Sequence, residues 1–206
     1  PAMGSGAMQT SQPEIELADC IFLAGVNIQE TFPMIARRVS RAKAKGAKVI
    51  YTDPRATATA RHLADIHLQL RSGTDAALIN AMMSIILAEG LEDKDFIAAR
   101  TAGIDELRDF LSKIDLKQAE KITGVPLEKI REAAITYAKA ERGCILYDQG
   151  VSQHYVGTDN VRNHANLALL CGHAGKAGSG VNSMRGQING EGSGDMGCLC
   201  VFYPGF

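Results

Sequence analysis

Four short polar segments carry the residues of this chain that are best suited to bind a ligand. Residues 25–27, 53–55, 71–73 and 150–153 each follow an apolar run with the pattern of a β-strand. In open α/β sheets, ligands bind beyond the carboxyl ends of the parallel strands, where such segments would meet. Their convergence therefore predicts one extended, polar, nucleotide-like ligand.

The side chains of these segments offer the donors and acceptors that a nucleotide requires. Asp53, at the end of the second predicted strand, can accept hydrogen bonds from ribose hydroxyls. Asn27 and Gln153 each carry a donor and an acceptor, which suits the edge of a purine or a pterin. Gly73 and Thr74 precede a predicted helix, whose first backbone N–H groups favour phosphate. Taken singly, Asp53 could cap a helix and Asn27 could form a turn, so the prediction depends on the whole set.

A further candidate segment is the glycine-rich stretch of residues 172–206. It contains distinct motifs, such as MRGQ at residues 184–187 and DMG at residues 195–197, whereas linkers have low complexity. Glycine lets backbone approach a bulky ligand closely, and the planar guanidinium of Arg185 suits an oxyanion. We expect an irregular ligand loop here, with an ordered structural loop as the alternative.

Alternating strand and helix patterns would place these segments at one edge of a sheet. The alternation predicts an α/β fold with an open, largely parallel, Rossmann-like sheet flanked by helices. Strands are predicted at residues 20–24, 48–52, 66–70 and 144–147. Helices are predicted from near Thr31 and at residues 75–89, 126–140 and 158–171, the last capped by Thr158. No linker divides residues 1–206, which we expect to form a single domain with a small helical cap at residues 94–122.

Composition narrows the class of protein further. The chain has 206 residues, 46% of them hydrophobic, and a net charge of −1, which argues against binding to nucleic acid. No apolar stretch could cross a bilayer and the start is unlike a signal peptide. We therefore expect a cytoplasmic protein, unless it is exported within a larger precursor. The five cysteines are scattered and no histidine has a partner at metal-ligand spacing, so no metal ligand is predicted.

An ordinary nicotinamide dehydrogenase is disfavoured by the first predicted strand end. Such an enzyme would have G-x-G-x-x-G after this strand. Residues 25–30 read GVNIQE instead.

Motifs along nearly the whole chain resemble the molybdenum/tungsten–pterin oxidoreductases, most closely the large subunit of formate dehydrogenase. Residues 18–27, ADCIFLAGVN, are similar to the family's ADVI-x-x-x-GSN, and residues 53–55 match its DPR. Residues 70–75, LRSGTD, resemble LRPGTD, and residues 171–206 resemble its segment TGN-x-GKPG, RGQNN, DMG and YPGY. His173 stands where that segment has Asn, and His154 follows Gln153 closely enough to contact a ligand.

The resemblance implies a pair of molybdopterin guanine dinucleotides around one Mo or W, and the two-electron oxidation of formate to CO2. Arg185 matches the arginine that faces the metal and holds the formate carboxylate, which a bidentate guanidinium can grip by both oxygens. Arg185 is the one catalytic residue implied. The residues implied as cofactor ligands are Gly25, Asn27, Glu30, Asp53, Pro54, Arg55, Gly73, Asp75, Gly150, Gln153, Arg185, Gly186 and Gln187.

The resemblance covers only the central part of the family's large subunit. The iron–sulfur domain, the metal-ligating Cys or selenocysteine and the C-terminal pterin domain of the family have no counterpart here. We therefore expect a part of a larger catalytic subunit, inactive alone, with an iron–sulfur cluster elsewhere and electron-transfer subunits as partners. The alternatives are a nitrate reductase-like enzyme, a metal-free structural relative such as the large iron–sulfur subunit of respiratory complex I, and a stand-alone nucleotide-binding module.

Overall fold

A five-stranded parallel sheet forms the centre of the molecule. A computed structural model describes residues 8–184 and 190–198, and the sheet order is β3-β2-β1-β4-β5. The strands are β1 Cys20–Ala24, β2 Lys48–Thr52, β3 Ile66–Leu68, β4 Gly143–Tyr147 and β5 Gly180–Ser183. All neighbouring pairs are parallel. The predicted open, parallel α/β sheet is therefore confirmed.

Helices cover both faces of this sheet. A short 3₁₀ turn, Pro13–Leu17, precedes β1. The α-helices described are α1 Ile28–Thr31, α2 Pro33–Ala44, α3 Ala58–His62, α4 Asp75–Ala88, α5 Lys94–Arg100, α6 Ile104–Ser112, α7 Leu116–Thr123, α8 Leu127–Ala138, α9 Gln149–Ser152, α10 Gly157–Leu170 and α11 Gly190–Ser193, the last followed by a π-helical segment, Gly194–Cys198. The region predicted as a cap consists of α5, α6 and most of α7, of which α6 and α7 pack against α4.

Two hydrophobic cores lie on opposite faces of the sheet, because side chains alternate along each strand. Phe22 of β1 packs into the core formed with α4, α8 and α10, whereas Leu23 packs into the core formed with α2. All of β1 is buried, as expected for a central strand that is covered on both faces. The helices cover the two faces of the sheet, and the polar loops meet beyond the carboxyl ends of its strands.

The start of α10 differs from the prediction. The helix begins at Gly157, with Val156 before it, and Thr158 does not cap it. A Cβ atom on Gly157 would lie 1.9 Å from the carbonyl oxygen of Ser152. The start of α10 therefore has a close main-chain contact, which requires glycine, and no capping side chain.

The glycine-rich stretch is not wholly irregular, because it contains β5. Buried Asn182 fixes this edge strand: its Oδ1 accepts from the backbone N of Thr10 at 2.9 Å, and its Nδ2 donates to the carbonyl of Ile145 at 3.3 Å. The Oε1 of Gln9 accepts from the backbone N of Val181 at 2.9 Å. These partners are distant in sequence, so local patterns could not predict the strand. Arg185, Gly186 and Gln187 lie outside the described residues.

Candidate cofactor-binding site

A polar cleft of about 250 Å³ lies at the carboxyl edge of the sheet, where the loops after β1, β2, β3 and β4 meet. Its lining includes eight residues from the predicted set, namely Gly25, Asn27, Asp53, Pro54, Arg55, Gly73, Asp75 and Gly150. Ser72 and His154 complete the polar lining. Thr52 and Leu70 also line it. Sequence reasoning missed them because each is a buried residue at the end of an apolar run.

Two of the predicted ligands lie outside this lining. Glu30 is exposed on α1, and Gln153 is exposed just after α9. Arg71, from the third polar segment, turns away from the cleft: its guanidinium donates to the carbonyls of Lys121 and Ile122 at the end of α7. Cations are stabilised at helix C-termini, so Arg71 has a structural partner there.

Gly25 and Gly150 bring two loops into direct backbone contact. The backbone N of Gly150 donates to the carbonyl of Gly25 at 3.2 Å. A Cβ atom on Gly25 would lie 2.6 Å from the carbonyl carbon of Gly150, and one on Gly150 would lie 2.5 Å from the carbonyl oxygen of Gly25. Gly25 also has a φ of +58°. Glycine is therefore needed at both positions for the loops of adjacent strands β1 and β4 to meet.

Asp53 and Arg55 form the wall of the cleft that follows β2. Asp53 is 5% exposed; its Oδ1 accepts from the backbone N of Arg55 at 2.8 Å and its Oδ2 accepts from the Tyr51 hydroxyl at 3.0 Å. The Arg55 guanidinium lies 3.5 Å from Oδ1, yet its side chain is 75% exposed. Asp53 thus fixes the turn, while Arg55 offers a cation to a ligand.

Asn27 presents its amide at the end of β1. Its Oδ1 accepts from the Thr59 hydroxyl at 2.8 Å, and the Thr59 oxygen in turn accepts from the backbone N of Gln29 at 3.3 Å. This contact orients the amide and uses its oxygen. The Nδ2 donor has no hydrogen bond to any residue in the described part of the chain, so it is available to a ligand acceptor.

Asp75 faces the cleft from the start of α4, and His154 faces it from the loop between α9 and α10. Asp75 is 7% exposed, and burial raises the pKa of its carboxyl; its own backbone N–H and His154 lower this pKa, whereas Asp53 raises it. The Nε2 of His154 donates to the carbonyl of Gly150 at 2.8 Å. The carboxylate of Asp53, which also lines the cleft, is likewise buried. The cleft therefore combines poorly solvated carboxylates with a rim arginine.

His173 lies away from this cleft. It is 1% exposed and packs against Gly143, at the amino end of β4. Its Nε2 donates to the carbonyl of Tyr137 at 3.0 Å, and its ring meets the Tyr137 ring edge-on. Burial lowers the pKa of His173. This residue is therefore a packed core histidine and does not line the cleft.

Cysteine and histidine positions give no metal site in residues 8–184 and 190–198, where no group of three possible ligands comes together. Cys20, Cys144 and Cys171 are buried, and burial raises the pKa of Cys144 and of Cys171 to about 12. These thiols are thus protonated at neutral pH. Among the described helices, none has the length and apolarity to cross a membrane.

The family follows from comparison with known proteins. Residues 3–201 match the family model described as molybdopterin oxidoreductase. The chain belongs to that family. Membership implies a molybdopterin-type cofactor with Mo or W.

Individual relatives fall into more than one branch of the family. The chain is 50% identical over 203 residues to the F420-dependent formate dehydrogenase subunit alpha of Methanocaldococcus jannaschii, covering 98% of the chain and 30% of the relative. It is 40% identical over 186 residues to the assimilatory nitrate reductase catalytic subunit of Bacillus subtilis, covering 90% of the chain and 26% of that protein. Acetylene hydratase from Pelobacter acetylenicus has a similar structure, with a TM-score of 0.72 and 27% identity over 78% of this chain and 24% of that one. The chain thus spans less than a third of each of these proteins.

Proposed function

We propose that this chain is the central segment of a formate dehydrogenase catalytic subunit and that residues 1–206 form one domain that holds a molybdopterin guanine dinucleotide. The observation that carries the proposal is the convergence of four strand-end loops on one polar cleft. This is the position at which open parallel sheets bind nucleotides.

The side chains of the cleft fit the nucleotide end of such a cofactor. The carboxylates of Asp53 and Asp75 can accept from ribose hydroxyls or base N–H groups, and the Nδ2 of Asn27 can donate. The exposed guanidinium of Arg55 suits a phosphate. The donor set contains no group of metal ligands among the described residues. The cleft is therefore assigned to the nucleotide and not to the metal.

Formate is the proposed substrate. The highest identity among the three proteins compared above is to a formate dehydrogenase subunit, and Arg185 matches the arginine that holds the carboxylate in formate dehydrogenases. The bound cofactor would supply the two-electron chemistry, while Arg185 would orient formate through both carboxylate oxygens. Glu30, Gln153, Gly186 and Gln187 are proposed as further cofactor contacts, on the resemblance alone.

The proposed partners are the remaining segments of the catalytic subunit, with an iron–sulfur domain and a second pterin-binding domain, and electron-transfer subunits that accept the electrons. This follows from the share of the relatives that the chain spans, 30% in the formate dehydrogenase subunit. Such a protein would use this chain for one half of a cofactor cleft.

Analysis of the complete subunit tests the proposal. We expect oxidised pterin fluorescence, guanosine monophosphate released by hydrolysis, Mo or W by elemental analysis, and formate-dependent reduction of a viologen dye. A subunit that contains pterin but no guanine nucleotide would contradict the dinucleotide assignment. A subunit with the full cofactor that reduces nitrate and does not oxidise formate would support the nitrate reductase-like alternative, which the 40% identity to a nitrate reductase favours. Absence of any pterin or metal would favour a metal-free structural relative.

A further inference from the structure

We infer that Asn160 is a positioning residue that holds the loop after β4, which carries Gly150 and His154, in the shape of the cleft. The inference rests on the proposed function, because it assigns the loop to cofactor binding. Asn160 belongs to α10 and does not line the cleft, so it can act on a ligand only through the loop.

Asn160 makes one contact that joins two elements. It is 0% exposed, and its Nδ2 donates to the carbonyl of Val151 in α9 at 3.2 Å. That carbonyl lies one residue after Gly150 and three before His154, which both line the cleft. Removal of the donor would leave a buried carbonyl without this partner, which is costly in a dry environment.

The rest of the Asn160 amide indicates that this donor matters. Its Oδ1 is buried and has no hydrogen-bond partner among the described residues. A leucine at this position would have the same branched shape, although a larger volume, and would bury no unsatisfied oxygen. The unsatisfied Oδ1 of Asn160 therefore lowers the stability of the fold, and the hydrogen bond from its Nδ2 to the Val151 carbonyl is the interaction that offsets this loss.

A second polar side chain fixes the helix under Asn160. The Nδ1 of His164 donates to the carbonyl of Asn160 at 2.7 Å, and the His164 ring lies 5.8 Å from the Phe22 ring of β1. His164 is fully buried, and burial lowers its pKa to about 4, so the ring stays neutral. Asn160 is thus connected to the central strand as well as to the loop.

Backbone contacts hold the same loop from its other sides. The backbone N of Gly150 bonds to the carbonyl of Gly25, and the backbone N of Gly157 donates to the carbonyl of His154 at 2.9 Å. Gly157 also lets the Ser152 carbonyl approach α10, since a Cβ atom there would lie 1.9 Å away. Two side chains among the described residues donate to main-chain carbonyls of α9. His154 does so from within the loop, to Gly150, whereas Asn160 does so from another helix, to Val151.

Hydrogen exchange and cofactor content in the complete subunit test this role. We expect Asn160→Leu, which keeps the branched shape but removes the donor, to speed amide exchange of residues 149–153 by roughly three- to tenfold, the loss of about one hydrogen bond. Pterin content per subunit should fall at least twofold. Asn160→Ala should do the same. It leaves a cavity where leucine adds volume, so an effect that both variants share comes from the lost donor.

Ser84→Ala is the matched control. The Ser84 hydroxyl likewise donates to a main-chain carbonyl of another helix, that of Leu111 at 3.2 Å. Ser84 lies in the second half of α4, whereas Asp75, which lines the cleft, is the first residue of that helix. We expect this variant to leave both the exchange of residues 149–153 and the pterin content unchanged.

Three results with the variants would overturn the inference. A wild-type exchange rate in Asn160→Leu would show that Asn160 only fills space. Faster exchange with full pterin content would show that cofactor binding does not require the Asn160 hydrogen bond. An equal fall in pterin content in Ser84→Ala would make the effect one of general stability. If the wild-type subunit contained no pterin, the proposed function itself would fail, and the positioning role with it, whatever the exchange rates.

Discussion

Asp53 is predicted to have a structural and a ligand role that two substitutions can separate. The structure sets the cost of Asp53→Ala. The bond to the backbone N of Arg55, at 2.8 Å, is lost outright, and hydrogen bonds to charged groups contribute about 1.5–3 kcal/mol. The Tyr51 hydroxyl keeps its contact with Thr57 at 2.9 Å, so it is not orphaned. The pair with the 75% exposed Arg55 side chain adds less than about 1 kcal/mol. We expect a total destabilisation of about 2–3 kcal/mol.

Asp53→Asn should cost much less, about 1 kcal/mol or below. Its Oδ1 can still accept from the Arg55 backbone, and its amide can donate to the Tyr51 oxygen while that hydroxyl turns toward Thr57. The substitution nevertheless removes the carboxylate that would accept from a nucleotide. Loss of one charge-assisted bond of about 1.5–3 kcal/mol lowers affinity roughly ten- to a hundredfold.

The assay is the pterin and guanine nucleotide content of the purified complete subunit, compared with its thermal unfolding. Asp53→Asn should unfold close to the wild type but contain much less cofactor, whereas Asp53→Ala should lose both. Asp65→Asn is the control. The Asp65 carboxylate also accepts from a backbone N, that of Val49 at 2.8 Å, but this contact lies at the amino ends of the strands, away from the cleft at their carboxyl ends. Full cofactor content in a stable Asp53→Asn variant would refute the ligand role and leave Asp53 as a turn-forming residue.

Three further predictions concern other parts of the chain. Gly150→Ala should destabilise the protein by about 1–3 kcal/mol and lower its cofactor content, because the new Cβ atom would lie 2.5 Å from the Gly25 carbonyl oxygen. Gly46→Ala is the control: a Cβ atom there would have no atom within 4 Å, and we expect the cofactor content to stay unchanged. Burial lowers the folded-state pKa of His164 from 6.5 to about 4, so the unfolded chain takes up a proton more readily than the folded protein. The free energy of unfolding is therefore at its full value above pH 6.5 and falls by about 3 kcal/mol as pH falls toward 4. The pH dependence of the free energy of unfolding, measured by denaturant titration, should therefore differ between wild type and His164→Gln in that range. Parallel pH profiles would contradict the lowered pKa of His164. In the assembled enzyme, Arg185→Lys should keep metal content but lower kcat/KM for formate by roughly ten- to a hundredfold, since lysine keeps the charge and loses the fork; unchanged formate kinetics would make Arg185 structural.

Local sequence patterns determined the main elements and the place of the site. The apolar runs at residues 20–24 and 48–52 coincide with β1 and β2, because buried parallel strands must be apolar on both faces. The polar segments after these runs meet at one edge because parallel strands end on the same side of the sheet. Motif resemblance then identified the family, which the match over residues 3–201 confirms. The ligand roles of individual residues stay predictions.

Contacts between residues distant in sequence decided the rest. β5 forms because Gln9, Thr10 and β4 satisfy its backbone and the side chain of Asn182, so a glycine-rich segment without strand propensity becomes an edge strand. Arg71 follows a strand like the other polar segments, but the carbonyls at the end of α7 bind its guanidinium and remove it from the cleft. Gly25 and Gly150 were expected as cofactor contacts, and the lack of a side chain at each also lets their two backbones meet. A hydrogen bond or a close contact depends on which atoms the completed fold brings within a few ångströms, and residue type and spacing along the chain do not specify that.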